Sequence, residues 1–539
     1  MKTIRLKKYA CAAALMVVGS ATCLFAMAGD TSTGYDIILL AGQSNMAGRG
    51  VLSHPIDNDG KPNAAIKMWD PANGIVTAVD PIIHQEPHGM TKVGLGMSFA
   101  KAYLAHLAHL RKTGFPNRKV LLVGAAWGGT GFIYDVPGLH HRWVATDDPT
   151  IGGDLYRGAV RRAVAALAEA KSKEATSTFK AILWHQGETD LSNEGASKYA
   201  HNHSVLMKAL RAKIPGAAAA PIVVGEMTPC FWAACTSAVS FGSAADRTTM
   251  LDYFHHIGQL GHASWVSSAG LSENMPHDRI HFDAPSQREM GRRYFGKYLE
   301  ADAGLGSPQV EVKAYSGKIF NVGSSIDFDA DSASVQKLAR THGNVSILGV
   351  AQITHDPDRG NVIKISQSGG HLTLNLGGAT MNGSYTKLAW IKLTSTKFSN
   401  NIISANNATQ SHYLNVSESG LLSAGHSRSS DPLKIYVKEE TRTPLNMWRH
   451  IAVTYNAPTK TMKLFANGVE VASNSMVPPA PPATGIVSLD MSGFGSRVGS
   501  GLDGQMEGIR LYNGALQPGQ IASLYHIERL SRDGYGQEQ

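Results

Sequence analysis

Two hydrophobic rhythms share this chain, and the point where one gives way to the other constrains the fold more than any single residue. From about Tyr35 to Leu299, short β-rich apolar runs appear at Asp36–Ala41, Lys119–Ala125, Phe179–Trp184, Pro221–Glu226 and Ala263–Ser268. Between them lie Gly96–Lys112, Leu155–Lys171 and Ser197–Ile214, where Ala, Leu and charged residues recur at helical spacing. Strand, helix, strand repeated in this way predicts an α/β unit with a parallel sheet, closed by the amphipathic stretch Ser286–Leu299 as its last helix. After Ala303-Gly304-Leu305-Gly306-Ser307-Pro308 the helical period vanishes, and short alternating strands separated by Gly, Asn, Ser and Pro take over. That change predicts a linker at 304–308, an all-β unit of two packed antiparallel sheets over 309–530, and a tail at 531–539. Its clearest strands are Lys387–Leu393, His450–Tyr455, Lys460–Phe465 and Gly504–Tyr512, with Asn467-Gly468 as a tight hairpin turn. A length of 539 residues exceeds what one core normally supports, in keeping with two domains.

The N-terminus follows neither rhythm. Lys2, Arg5, Lys7 and Lys8 precede an apolar run from Tyr9 to Phe25 closed by Ala26-Met27-Ala28, the pattern of a secretory signal peptide over 1–28. The run is short for a bilayer span, which takes about 20 apolar residues. The expectation is cleavage near Gly29, a secreted or periplasmic product, and no membrane attachment afterwards. Cys11 and Cys23 would leave with the leader; Cys230 and Cys235 remain, and in an oxidising compartment they are expected to pair. A metal or redox pair would need two further ligands or a two-residue spacing. Removing the four basic leader residues from the net charge of +8 leaves +4. Basic residues are scattered rather than gathered with aromatics, which argues against a nucleic-acid partner.

Chemistry concentrates at three places in the α/β unit. Gly42-Gln43-Ser44-Asn45-Met46-Ala47-Gly48 follows the first expected strand. The carboxyl ends of strands form the ligand-binding edge of an open parallel sheet, so Ser44 stands where a nucleophile would, its N–H free at a helix start. Ser and Asn are also ordinary helix caps. Trp184-His185-Gln186-Gly187-Glu188-Thr189-Asp190 follows another strand. Gln186 can donate to an oxyanion there, while Glu188 and Asp190 can orient substrate or loops. A metal site is the rival reading of His185, Glu188 and Asp190, but one histidine with no second at helical spacing is a weak ligand set. The third place is His277-Asp278-Arg279-Ile280-His281-Phe282. Because the two stand three residues apart, one turn can hold Asp278 against the His281 imidazole and leave its other nitrogen for a serine hydroxyl. His277 is a second histidine, without that spacing.

In chain order, these segments resemble the SGNH, or GDSL-like, hydrolases. More narrowly, Gly42–Gly48, His185-Gln186-Gly187-Glu188 and Asp278–Arg293, with Gln287 and Gly291, look like carbohydrate esterase family 6 and the sialate O-acetylesterase family. The resemblance implies a three-layer α/β/α, flavodoxin-like catalytic domain over 29–303, acting without metal or organic cofactor on an acetylated carbohydrate. It casts Ser44 as nucleophile, His281 as base and Asp278 as the carboxylate that orients it. The N–H groups of Ser44 and Gly128, with the Gln186 side chain, would form the oxyanion hole. Gly128 belongs to Ala125-Ala126-Trp127-Gly128-Gly129-Thr130, where Gly129 could supply the donor instead. Asn45 and Glu188 are expected to touch substrate or support the site, and Val93-Gly94-Leu95-Gly96 to line the pocket.

The all-β unit resembles the laminin-G-like, or concanavalin-A-like, jelly rolls. The match rests on Met447–Tyr455, Leu464-Phe465-Ala466-Asn467-Gly468, Gly504–Tyr512 and Ala515-Leu516. Such a sandwich beside an esterase implies possible polysaccharide binding, which raises local substrate concentration. Trp390, Trp448 and Tyr512 fall in or beside apolar strand patterns and are expected in the core rather than as a sugar platform. An O-acetyltransferase with the same serine chemistry and a noncatalytic glycan-binding protein are the alternative functions. Which acetylated glycan is used has no readable code in the loops Gly50–Val93 and Gly131–Gly153.

Overall fold

Tyr35–Gly42 is buried at every position, the pattern of a strand covered on both faces. The computed structural model describes residues 33–533 except 52–61, 88–91, 112–116, 134–140, 152, 193–195, 236–241, 275, 277, 306–309, 316–317, 323–325, 330–343, 349–350, 366–370, 376–382, 398, 406–410, 429–430, 480–485 and 489–501. The expected leader 1–28 and His277 lie outside the described residues.

In chain order the first unit runs β1 (Tyr35–Gly42), α1 (Ser44–Ala47), β2 (Ile66–Asp70), β3 (Gly74–Thr77), α2 (Gly96–Arg111), β4 (Lys119–Gly124), α3 (Asp154–Lys173), β5 (Thr178–His185) and α4 (Glu188–Ser192). It continues α5 (Ala196–Lys213), β6 (Ile222–Gly225), α6 (Pro229–Ala233), α7 (Ala244–His255), β7 (Ala263–Val266) and α8 (Ala284–Asp302). The sheet order is β3-β2-β4-β1-β5-β6-β7, parallel except for the β2–β3 hairpin at its edge. Alternation along the strands builds the layers. Ile37, Leu39, Leu121, Val123, Ile182 and Trp184 pack with α3, α5 and α7, whereas Ile38, Leu40, Val120, Leu122 and Leu183 pack with α2 and α8. The strand order reverses about β1, whose neighbours β4 and β5 lie on opposite sides, so the ligand crevice of the sheet opens at the carboxyl end of β1.

All five expected strands and four expected helices are present. The β2–β3 hairpin was not expected: Ile66–Asp70 is a half-exposed strand with two buried positions, too short a pattern to read. The short helices α1, α4 and α6 escape a 3.6-residue pattern by length, and α7 buries only Met250 and Phe254.

The second unit is antiparallel. One sheet runs through Ile326–Asp329, Lys318–Val322, Val310–Tyr315, Gly504–Tyr512, Tyr385–Leu393, Arg449–Asn456, Thr461–Ala466 and Val469–Asn474, with Ala351–Asp356 and Gly360–Ile365 joined to it. The other runs through Asn344–Leu348, His371–Asn375, Ile486–Ser488, Asn400–Ala405, Ser411–Val416, Leu421–Arg428 and Asp431–Arg442. Ile391, Ile451 and Val453 of the first meet Ile402, Leu414 and Leu422 of the second in one core, as in a jelly-roll sandwich. Trp390 and Tyr512 are buried, and half-buried Trp448 donates from Nε1 to Asp356. The unit ends not in a strand but in a helix, α9 (Pro518–Asp533), which packs against α8.

Candidate active site

β1 ends at Gly42, where φ is +133° and a Cβ would sit 2.1 Å from the His185 carbonyl oxygen. Only glycine fits that approach to β5. The chain turns there, Gln43 N–H donating to His185 O at 2.9 Å, and delivers Ser44 as the first residue of α1. A first helical residue has no intrahelical acceptor for its N–H. No described residue accepts from Ser44 N–H, which leaves it facing the crevice.

His281 comes from the segment before α8, tied down by the bridge Glu273–Phe282 and by Asp283, which caps α8 by accepting from Ser286 N–H at 2.8 Å. Its Nε2 lies 2.8 Å from Ser44 Oγ, and its Nδ1 lies 2.8 Å from Asp278 Oδ2. A carboxylate only accepts, so the proton sits on Nδ1 and Nε2 is left to accept from the serine hydroxyl. Burial pushes the Asp278 carboxyl up, but the hydrogen bond and charge of His281, with the N–H groups of His281 and Ile280, outweigh it and bring Asp278 down to about 2. Asp278 is therefore ionised wherever an imidazole can act as base.

Asn45 holds these two segments together. Its Nδ2 donates to Glu188 Oε1 at 2.7 Å and to Ile280 O at 3.1 Å, and its Oδ1 accepts from Phe282 N–H at 3.2 Å and Gln287 Nε2 at 3.3 Å. Two donors and two acceptors are the full capacity of a side-chain amide, so Asn45 positions the residues on both sides of His281 and has nothing left for substrate. Glu188 lies buried beneath, its carboxyl pushed up by burial against the pull of the Asn45 hydrogen bond and the His281 charge.

The expected oxyanion donors divide. A Cβ at Gly128 would lie 3.5 Å from the Ser44 Cβ, so this glycine faces the serine, yet its N–H donates to Glu86 Oε2 at 2.9 Å. Gly129 is exposed, with φ +71°, and no described residue accepts from its N–H. Gln186 reaches the floor of the site, but its amide turns into the protein, donating to Asp190 Oδ2 at 2.6 Å, Thr130 O at 3.2 Å and Gln43 Oε1 at 3.3 Å. All three partners are acceptors, which fixes the orientation of the amide. Burial, against the hydrogen bond from Gln186, pushes Asp190 up to about 6.

Arg49 and Glu86 are site residues that no sequence pattern marked. The Arg49 guanidinium forks onto Glu86 with both contacts at 2.8 Å, and Glu86 in turn holds the Gly128 N–H. Asn274 donates to Arg49 O at 2.9 Å and to Asp278 Oδ2 at 3.4 Å, closing a ring of loops around Ser44. Glu86 falls in a loop without periodicity, and Arg49 gave a signal only in following Gly48. Val93–Gly96 packs behind the Ser44 turn: Gly50 bridges Val93, and Gly94 backs Gly48.

His185 is fully buried, and burial lowers it to about 3. Tyr294 OH donates to Trp184 O at 2.7 Å, so it accepts from His185 Nδ1–H at 3.0 Å. This neutral imidazole is part of the core. Among the described residues no group of three or more His, Cys, Asp and Glu could hold a metal ion, and no helix is long and apolar enough to cross a membrane. Cys230 and Cys235 form a disulfide across α6.

An α/β sheet with such a serine at its switch point has the form of a hydrolase, and comparison with known families makes the class that of the esterases. Residues 34–300 belong to the family described as carbohydrate esterase, sialic acid-specific acetylesterase. Residues 366–522 match the concanavalin A-like lectin/glucanases superfamily. No curated protein matches the chain. Similar solved structures include a protein from Arabidopsis thaliana (24% identity, 50% of this chain and 98% of that one, TM-score 0.38) and NanS (17%, 50% and 98%, 0.38). The chain is also similar to domain 4 of AbnA, an extracellular arabinanase from Geobacillus stearothermophilus (18%, 34% of this chain and 87% of that one, 0.28).

Proposed function

We propose that the protein is a secreted serine esterase that removes O-acetyl groups from a glycan. The observation that carries this reading is the continuous chain Ser44 Oγ, His281 Nε2, His281 Nδ1, Asp278 Oδ2, with both links at 2.8 Å. Ser44 Oγ attacks the acetyl carbonyl carbon while its proton passes to His281 Nε2. The bond to the sugar oxygen then breaks, that oxygen takes the proton from His281, and water hydrolyses the acetyl-serine with His281 again as base. The developing oxyanion is met by the Ser44 N–H and by the turn at Gly128-Gly129. We assign the second donor to Gly129, because the Gly128 N–H is already held by Glu86. Gln186, whose donors are spent on Asp190 and Thr130, acts by bracing that turn. The leader at 1–28 and the disulfide support export, and the concanavalin A-like fold of the second unit supports polysaccharide binding beside the esterase.

The test is hydrolysis of a chromogenic acetyl ester, acetylated xylan and O-acetyl sialic acid by the wild-type protein and Ser44→Ala. Loss of turnover by on the order of 10⁴-fold or more in the variant is expected. A folded wild-type protein inactive on every acetyl ester would overturn the proposal.

A further inference from the structure

Beside the Ser44 site, on the far side of the Gly128-Gly129 turn, lies a second His–Asp pair that the reaction does not use. His141 Nδ1 is paired with Asp154 Oδ2 at the start of α3, and Asp154 Oδ1 also accepts from Arg142 N–H. The His141 ring stacks against Trp127, with centroids 4.0 Å apart and planes inclined at 46°. Trp127 immediately precedes Gly128, the residue that faces the Ser44 Cβ, and adjacent Cα atoms are about 3.8 Å apart. The indole is thus rooted at the rim of the serine site.

Three features give this pair the character of a recognition surface. The Trp127 backbone is pinned at both ends: its N–H donates to Gly42 O at 3.1 Å and its carbonyl accepts from Thr130 Oγ1 at 2.7 Å. The indole packs on the core yet stays half-exposed, as does His141. Among the described residues none bonds Trp127 Nε1 or His141 Nε2. Because Asp154 engages Nδ1, Nε2 is the ring nitrogen left for a ligand. A rigid aromatic face with two ring nitrogens at its edge suits a ligand with an apolar ring face and hydroxyls around its rim.

We infer that Trp127 and His141 form a sugar subsite next to Ser44, which holds a pyranose ring of the acetylated substrate by stacking and by hydrogen bonds to its hydroxyl groups. This rests on the esterase reading for the identity of the ligand, but not for the existence of the surface. A small acetyl ester has no ring to place there, so the subsite acts on glycan substrates more than on chromogenic ones.

The experiment compares kcat/KM for acetylated xylo-oligosaccharide and O-acetyl N-acetylneuraminic acid with kcat/KM for a chromogenic acetyl ester, in wild type, Trp127→Ala, Trp127→Phe and His141→Ala. The ratio for the better glycan over the chromogenic ester is expected to fall about tenfold in the two alanine variants, mainly through KM, with partial recovery in Trp127→Phe, which keeps a ring face. Equal losses on both substrates, or no change in the ratio, would overturn the subsite while leaving the esterase intact. Binding of both glycans to Ser44→Ala by calorimetry separates the two proposals. If the wild type cleaves no acetyl ester, binding that weakens about tenfold in Ser44→Ala/Trp127→Ala still sustains the sugar surface, and its absence or insensitivity to Trp127 removes it.

Discussion

At the scale of single residues, the pair His281 and Asp278 decides how the site responds to acid. Asp278 lies at about 2, below its unfolded value of 3.8, so its pairing stabilises the fold above pH 4 or so. That contribution is lost as pH falls through about 2. Within the range where the enzyme would work Asp278 does not titrate. Asp278→Asn removes the charge that holds Nδ1–H, which lets the ring adopt the wrong tautomer. A fall in kcat of about 10²- to 10⁴-fold is expected. Turnover of a chromogenic acetyl ester reads the effect; an unchanged kcat would count against Asp278 as the partner. The Ser44, Asp278 and His281 set was legible because short motifs carry their own geometry: a serine after a strand, and a carboxylate three residues before a histidine. Glu86 was not marked at all, and Gln186 was expected to donate to the oxyanion, because what each does depends on which partner it meets across the sheet. Nothing in the sequence says that Gln186 spends its amide on Asp190 at 2.6 Å.

At the scale of elements, α8 carries the histidine into place. Asp283 caps it, Pro285 falls in its first turn, and His281 stands just before the cap. Asp283→Ala removes the acceptor for Ser286 N–H and should cost about 1 kcal/mol, within a range of roughly 0.5–2. Denaturant unfolding measures the loss, and a change below the low end would show that water replaces the cap. A reduced kcat with little change in KM is expected alongside it, since the cap anchors the His281 segment rather than substrate. Elements of this kind were the easiest to read. β1 and β5 are buried through most of their length and appear as continuous apolar runs, and α8 announces itself with a cap, a proline and an amphipathic face. The β2–β3 hairpin was hidden because half-exposed strands near a sheet edge need not be apolar, and α9 was hidden at the end of a stretch whose strands set the expectation.

At the scale of the molecule, the sandwich is fastened to the esterase unit rather than tethered beside it. Tyr298 and Leu299 of α8, with Leu305, share one apolar cluster with Leu388, Phe465, Tyr512, Ile521 and Leu524 of the second unit. Within it Arg510, almost fully buried, pairs with Glu300 of α8 at 3.0 Å and with Glu528 of α9 at 3.2 Å. Burial pushes the Glu528 carboxyl up, with Arg510 foremost among the groups that pull it down. Arg510→Met fills much of the same volume but takes the paired arginine from buried Glu528 and leaves Glu300 with Lys297 alone, a loss of about 3–5 kcal/mol. Replacing Glu528 by Gln in the same chain removes the stranded carboxyl, and stability should partly return. The wild-type protein is expected to melt in a single calorimetric transition, because unfolding either unit exposes the shared cluster of the other. In Arg510→Met that coupling weakens, and the transition should drop in temperature and broaden or split. Two separate transitions in the wild type, or an Arg510→Met midpoint equal to the wild-type value, would mean that the sandwich is an independent module whose distance from Ser44 the fold does not set.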